Sequence, residues 1–583
     1  MHLWDKILRD VAVAVSKAAG VKIEAQDFTA PPDASFGDTA LGCFKLSKEL
    51  KKNPNQIAAE LAVKIKLSAM VEKATAAGPY LNFSFSSNQL VDSVVRDIEK
   101  QKERYGLRAS SFGHRLMFEY AQPNTHKEIH VGHLRNLLIG SALVRILKMN
   151  GWQVIAASYH GDIGAHVAKC LWRMATRAKI KELTLKDVPK ILKGVSAAQK
   201  NGRYLGQLYT EASKLLEEQP ELKTQVEAVQ QKLEAGDKAW VKLWAETRKW
   251  SLKEMAEIFK ELDVRIDRQY LESELVSAGQ NMVDELLKKK VAKQSEGAII
   301  VDLEEKKLGV FLIRRSDGTA LYATKDLALA RLKQKEYPKV QRSLLLVDRR
   351  QELYFKQLFE TLRRLGFKHQ MEYAGYEFVT LKTGAMASRE GNVVTWQSFR
   401  DEILARAISE TKQRHAEWSK KKVEDMSRQI ALGAIKFGML KQDNDKILMF
   451  DLEQALAFEG DTGPYVQYAA ARLGSILRKA GKLSDCRGER RSPERCQPEE
   501  KRLALAMAKF PQVVEQAATE LRPALIARWC LEMANRANEF YHEVRVIDAE
   551  PASRSARLRL AADARTVLIL GLNLLGITVP DEM

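Results

Sequence analysis

Cysteine is scarce: the 583 residues hold five, none in Cys-x-x-Cys spacing. That argues against a disulfide framework and a thiolate zinc site. No apolar run approaches the ~20 residues that span a bilayer. The opening Met-His-Leu-Trp-Asp-Lys reads as the start of an amphipathic helix and not as a secretory leader. A cytoplasmic protein without membrane contact is expected. A Walker lysine loop, a Gly-x-Gly-x-x-Gly loop and internal repeats are also missing, which sets aside the commonest nucleotide loops and solenoid folds. Negative charge is in deficit, with 75 Asp and Glu against 94 Lys and Arg and a net charge of +19. The protein is then either merely basic or matched to a polyanion such as a nucleic acid. The composition, 45% apolar and 29% charged, is that of a globular chain. Its length suits about three or four domains.

The most informative stretch runs from Phe118 to Asn136. Leu116, Phe118 and Tyr120 alternate as in a strand entering an interior, and Pro123-Asn124 breaks it. Leu134, Leu137, Leu138, Ala142, Leu143, Ile146 and Leu147 then recur at helical spacing until Asn150-Gly151. Trp152 to Ala157 forms a second strand. A helix N-terminus in such a unit offers unpaired N–H groups to phosphate. His130 and His133, three apart, project from one face in helical geometry, and Gly132 leaves room for a flat ring on the backbone. Two imidazoles there can hydrogen-bond charge developing on a leaving group.

Further along, Tyr159-His-Gly-Asp-Ile-Gly164 follows the second strand and suits a ligand edge of an open α/β sheet. Residues from about 174 to 255 are helical and Lys-rich, with Trp240, Trp244 and Trp250, and no chemistry is evident in them. Gly297–Leu303 and Gly309–Ile313 read as strands, with Ser316-Asp-Gly318 as a turn. In Ala320-Leu-Tyr-Ala-Thr-Lys-Asp326, Tyr322 would close a strand, Thr324 would cap a helix and Asp326 would sit in its first turn. Residues 397 to 450 read as helical. Tyr465, Tyr468 and Arg472 then share a helix face, either packed in a bundle or free to stack on bases.

His130-Val-Gly-His133, with Pro-Asn-x-x-Lys before it and Leu-Arg-Asn after it, resembles the HIGH signature as arginyl-tRNA synthetases carry it. Phe36-Gly-Asp38 and Gly78-Pro-Tyr-Leu-Asn-Phe83 resemble that family's N-terminal domain. Tyr322-x-x-Lys-Asp326 resembles its amino-acid pocket, and Phe458 to Leu473 the start of its anticodon-binding helices. Thr383 to Val394 resembles the second class I signature, KMSKS, but Ala385 and Glu390 stand where its lysines belong.

The fold so implied is multidomain α/β. A small α+β N-terminal domain (1–108) touches the tRNA elbow, with Tyr80 and Phe83 either on an edge strand facing RNA or in the core. A class I Rossmann-type catalytic domain (111–400) carries the helical insertion. A helical connector (401–455) leads to an all-α anticodon-binding bundle (456–583) with Tyr465, Tyr468 and Arg472 on tRNA. The resemblance implies an arginine–tRNA ligase using ATP with substrate-bound Mg2+ and no protein-held metal. Its partners would be L-arginine and tRNA(Arg), and a monomer is expected. Glu119 and Asp326 would pair with the guanidinium, Tyr322 would cover its plane, and Asn124 and Gln351 would complete the arginine set. Asn124, His130, Gly132, His133, Met386 and Ser388 would hold ATP. His130, His133, Lys127 and Arg389 would serve catalysis, Lys127 replacing the lost lysine. The family usually has His where this chain has Tyr354. Two alternatives remain, another class I synthetase and a catalytically weakened tRNA-binding paralogue.

Overall fold

The computed structural model describes residues 2–108, 111–316, 321–382, 394–481 and 496–583. The N-terminal helix Leu3–Ala19 buries Trp4, Ile7, Leu8, Val11 and Val15, the apolar stripe that its periodicity predicts. An antiparallel sheet follows, ordered Phe28–Thr29, Thr39–Gly42, Tyr80–Phe85, Val71–Ala77. Tyr80–Phe85 is therefore an inner strand and not the expected edge, because Val71–Ala77, unread in the sequence, pairs with it. The Phe-Gly-Asp motif is structural. Asp38 accepts a hydrogen bond from the Phe85 N–H at 2.6 Å and pairs with Lys501 of the C-terminal bundle at 2.8 Å.

The central sheet has five parallel strands, ordered Gln370–Tyr376, Arg342–Asp348, Arg115–Glu119, Gln153–His160, Arg268–Leu271. Arg115–Glu119 is first in sequence and central in space, so the chain winds outward in both directions from it. Ligands of such sheets bind beyond the C-terminal ends of the strands at this switch point. The helix that follows, Val131–Met149, is apolar on nearly every side and buried, as a helix enclosed by sheet and bundle must be. At Gly140 a Cβ would lie 2.0 Å from the Tyr120 ring, so glycine lets strand and helix approach.

The helices Ala165–Arg177, Gly202–Glu218, Lys223–Glu234 and Lys238–Glu261 enclose a core of their own, including Val167, Leu171, Leu205, Leu208, Val226 and Leu243. Residues 174 and 255, the expected borders of the insertion, both fall inside helices. A small antiparallel sheet, Lys293–Ser295, Ala298–Asp302 and Val310–Arg314, precedes the helix Tyr322–Glu336. Residues 317–320, most of the expected turn, lie outside the described residues.

Helices Trp396–Arg414 and Lys420–Leu440 come next, but 397–450 is not helical throughout: Leu448–Phe450 is a strand pairing with Val379–Leu381. The chain ends in a bundle of Gly463–Ala480, Pro498–Glu520, Ala524–Glu543 and Pro551–Leu574. Among the described residues no helix is long and apolar enough to cross a membrane. Cys43, Cys170, Cys496 and Cys530 are free and buried.

Candidate active site

The loop from Tyr120 to His130 leaves the C-terminal end of the central strand, and each of its turns is tied down. The Ala121 N–H donates to Asn136 Oδ1 at 2.8 Å, and the Thr125 N–H to the Gly161 carbonyl at 2.9 Å. His126, a left-handed residue with φ 57°, is held by Thr125, Thr247 and the Ser251 hydroxyl, each at 2.9 Å. A non-glycine residue stays in that conformation when its surroundings over-determine it. Gly161, the first glycine of the Tyr159–Gly164 stretch, allows close approach, since a Cβ there would lie 2.6 Å from Asn124 Oδ1 and 3.1 Å from Glu272 Oε2. The Leu-Arg-Asn run is an anchor. Asn136 holds Ala121, and Arg135, buried, donates to the carbonyls of Glu377, Lys446 and Asp443 at 2.6–2.9 Å.

His130 and His133 come together, with ring centroids 3.8 Å apart, but not as two residues of one helical face. His130 is the N-cap, in extended conformation, and the helix starts at Val131. Its Nδ1 accepts from the Gly132 N–H at 3.1 Å, while His133 Nδ1 accepts from the His130 N–H at 3.2 Å. Both rings thus satisfy backbone donors of the first turn. Burial and the Lys127 charge push His130 down to about 4. Burial and His130 hold His133 well below the usual histidine value. Two neutral rings with Nδ1 accepting place their protons on Nε2, where each becomes a hydrogen-bond donor to a ligand.

An acidic cluster lies at the C-terminal end of the central strand. Glu119, buried at the end of the central strand, accepts from Gln122 at 2.8 Å and is paired with Lys333. Asp326 accepts from the Tyr354 hydroxyl. Burial, Glu119 and Glu272 raise Asp326 to about 7, against the lowering effect of Tyr354. The Tyr159 phenol lies among Asp326, Glu272 and Glu119, and burial with these acids pushes it up. Glu272, buried, pairs with Lys325. Three carboxylates from three segments thus face one region, with two lysines for partners. Glu272 and Lys333 were not singled out from the sequence, whereas Tyr159 opens the stretch read there as a ligand edge and Lys325 is the lysine of the Tyr322-x-x-Lys-Asp326 motif. Tyr354 packs against Phe311 and Phe355 and reaches Asp326.

The expectations for the start of helix Tyr322–Glu336 change here. Tyr322 does not close a strand: it is the first residue of the helix, 73% exposed, so Thr324 falls within the first turn and Asp326 within the second. The apolar Ala320-Leu-Tyr run prolongs the strand pattern in sequence, but the backbone turns helical after Leu321. Gln351 is exposed at the N-cap of helix Glu352–Arg364, beyond the end of strand Arg342–Asp348. Ala385, Met386, Ser388, Arg389 and Glu390 lie outside the described residues.

Residues 94–452 match the family model described as tRNA synthetases class I (R), catalytic domain. The chain belongs to the arginyl-tRNA synthetase family. Residues 5–85 match the arginyl-tRNA synthetase N-terminal domain and 466–583 the DALR anticodon-binding domain. The chain is 37% identical over 571 residues to an arginine–tRNA ligase of Bdellovibrio bacteriovorus, covering 95% of this chain and 93% of that one. It is 33% identical to that of Clostridioides difficile, over 99% of this chain and 100% of that one. Among solved structures, Thermus thermophilus arginyl-tRNA synthetase superposes with a TM-score of 0.81 at 27% identity, covering 99% of this chain and all of the other.

Within this arginyl-tRNA synthetase fold, the expected RNA contacts divide. Tyr80 is 44% exposed and packs edge-to-face on Phe44, which is also exposed. Phe83, at 1%, is core: it points inward against Phe28 and cannot stack on a base. In the bundle, Tyr465, Tyr468 and Arg472 do share a partly exposed face. The Arg472 guanidinium lies 4.6 Å from the Tyr468 ring centroid and 4.7 Å from that of Tyr541, and it donates to Asn538 at 3.1 Å. The Tyr465 hydroxyl donates to Asn535 at 2.6 Å.

Proposed function

We propose that the chain is an arginine–tRNA ligase whose amino-acid pocket is formed by Glu119 and Asp326, with Glu272 as a third carboxylate. The observation that carries this reading is the convergence of these acids around Tyr159, with Glu119 at the C-terminal end of the central strand of a parallel sheet. A planar guanidinium with five fixed donors matches several converging carboxylates, and since three acids share two lysines, a neutral side chain would leave the cluster short of positive charge. Asn124 at the same edge, Gln351 and Tyr322 complete the proposed arginine set.

ATP is proposed to lie over Gly132 with its phosphates at the N-terminus of helix Val131–Met149, where the helix dipole favours anions. Asn124, Met386 and Ser388 complete the proposed ATP set. The arginine carboxylate attacks the α-phosphate, the bond to pyrophosphate breaks, and arginyl-adenylate forms. A ribose hydroxyl at the tRNA 3′ end then attacks the acyl carbon, and AMP leaves. Neutral His130 and His133 donate through Nε2–H to oxygens that gain charge, while Lys127 and Arg389 stabilise the departing pyrophosphate. No covalent nucleophile is needed, so positioning and charge stabilisation carry the rate. Among the described residues no three His, Cys, Asp or Glu side chains converge as metal ligands, and Mg2+ is assigned to the ATP phosphates as part of the substrate.

The proposed domain roles follow the order 1–108 on the tRNA elbow, 111–400 catalytic, 401–455 connecting and 456–583 on the anticodon, in a cytoplasmic monomer. Tyr80, Tyr465, Tyr468 and Arg472 are the proposed RNA contacts. ATP–pyrophosphate exchange with each standard amino acid, with and without tRNA(Arg), tests the reading. Arginine alone should support exchange, and lysine should fail because a point ammonium cannot fill several carboxylate forks. Lysine exchange within about tenfold of arginine would contradict it.

A further inference from the structure

The helical insertion, which carries no motif of its own, grips the segment that bears Lys127 from two sides. Helix Lys238–Glu261 holds His126, with Ser251 Oγ accepting from its N–H and Thr247 meeting its ring nitrogen, both at 2.9 Å. Trp244 of the same helix donates its indole N–H to the Asp162 carbonyl at 2.7 Å, fixing the facing loop. Helix Gly202–Glu218 covers the next residues. At Gly206 a Cβ would stand 3.0 Å from the Glu128 nitrogen and 3.0 Å from its Cβ, so this helix approaches the loop as closely as backbone allows. One turn on, the Tyr209 ring lies beneath Lys127, with the ammonium 4.8 Å from its centroid. Lys169 shares that ring at 5.5 Å.

A lysine on four rotatable bonds is a poor preorganised donor unless something restricts it. The face of an aromatic ring attracts an ammonium without neutralising it, as a carboxylate would, so the charge stays available to phosphate. We propose that Tyr209 is a positioning residue: its ring holds the Lys127 ammonium where pyrophosphate leaves, which makes the insertion part of the adenylation machinery. This rests on the reading of Lys127 as a phosphate-binding group. A ring that only fills space would influence stability but not the kinetics of one chemical step.

The test is single-turnover adenylate formation by the full chain with arginine, ATP and tRNA, alongside melting temperature. The variants are Lys127→Ala, Tyr209→Leu, Tyr209→Phe and the Lys127→Ala/Tyr209→Leu double. Tyr209→Leu should slow the step about 3- to 30-fold, as expected for a cation–π contact, with little change in the KM for ATP. Tyr209→Phe, which keeps the ring, should restore the rate. In the Lys127→Ala background, Tyr209→Leu should add no further loss. Tyr209 is partly buried, and Tyr209→Gln provides a second ring-free variant should the leucine disturb folding. A wild-type rate for the ring-free variants beside a slow Lys127→Ala overturns the role of Tyr209 and leaves that of Lys127 standing. A wild-type rate for Lys127→Ala overturns both. Additive losses in the double variant, or a Tyr209→Phe as slow as Tyr209→Leu, also reject the proposal.

Discussion

Lys333 donates its ammonium to Glu119, the carboxylate at the end of the central strand, and both are buried. The pocket proposed for a cationic substrate therefore already holds a cation of its own. Such a pair is compensated charge: removing one partner leaves the other desolvated and alone, a loss of about 3–5 kcal/mol. Lys333→Met should accordingly lower the stability of the arginine-free protein by that order. Arginine would then meet a more negative pocket and supply the missing charge, so its stabilising effect on melting should exceed that in the wild type. Thermal unfolding with and without saturating arginine checks this. An arginine-induced shift no larger than the wild type's would mean that Lys333 and the substrate do not share Glu119.

With Asp326 in the proposed arginine pocket, its carboxyl, raised to about 7 chiefly by burial, should set the pH dependence of arginine binding. Above that value the group is ionised and ready for a guanidinium. Below it a proton must leave for each arginine bound, so affinity falls as pH drops, approaching about tenfold per pH unit. Calorimetry from pH 8 to 5.5 should therefore show weakening arginine binding, with proton release on the acid side. In Asp326→Asn the affinity should be lower throughout and the slope lost. The histidine pair adds no titration in this range, since burial and Lys127 keep His130 neutral down to about 4. A flat affinity profile would remove Asp326 from the pocket.

Much of this was legible where the signal is local. Helix Leu3–Ala19 follows from its apolar period, and the strand–loop–helix unit around His130 follows from Pro123, Asn124 and the leucines after it. The pairing of Lys333 with Glu119 was not, because 214 residues separate them and neither lies in a motif that mentions the other. Glu272 was missed for the same reason. In the insertion, Thr247 and Ser251 are ordinary polar residues one helical turn apart until His126 is seen against them. Phe83 and Tyr80 belong to one short motif, yet only the pairing of both neighbouring strands decides which faces solvent.

That division gives a contrast between two neighbouring aromatics. Tyr80→Ala should leave melting nearly unchanged but weaken tRNA binding by about 1–3 kcal/mol if the ring stacks on a base. Phe83→Ala should lower stability by about 3–5 kcal/mol, as for any large core truncation. In the bundle, Tyr468→Ala should weaken tRNA binding more than Tyr465→Ala, because Tyr468 also orients the Arg472 guanidinium. Filter binding of tRNA(Arg) beside thermal melts separates the cases. Equal melting losses for Tyr80→Ala and Phe83→Ala would show that both rings are core.

The second signature motif tests whether one lysine has replaced another. If Lys127 does the work of the lysine missing at Glu390, it must meet the ATP phosphates most strongly as pyrophosphate departs. Lys127→Ala should then lower kcat for adenylate formation far more than it raises the KM for ATP, the mark of a contact made mainly in the transition state. The loss should be about 2–4 kcal/mol, as for one preorganised charge-stabilising donor. Glu390→Lys should restore part of that loss in the double variant, since both side chains would serve the same leaving group. In the wild-type background the same change should add little, because the site is already served. Single-turnover adenylation in the two single variants and the double, with melting temperatures alongside, distinguishes replacement from structural support. A Lys127 needed only for folding would show lost stability, near-normal kcat per folded molecule and no rescue by Glu390→Lys.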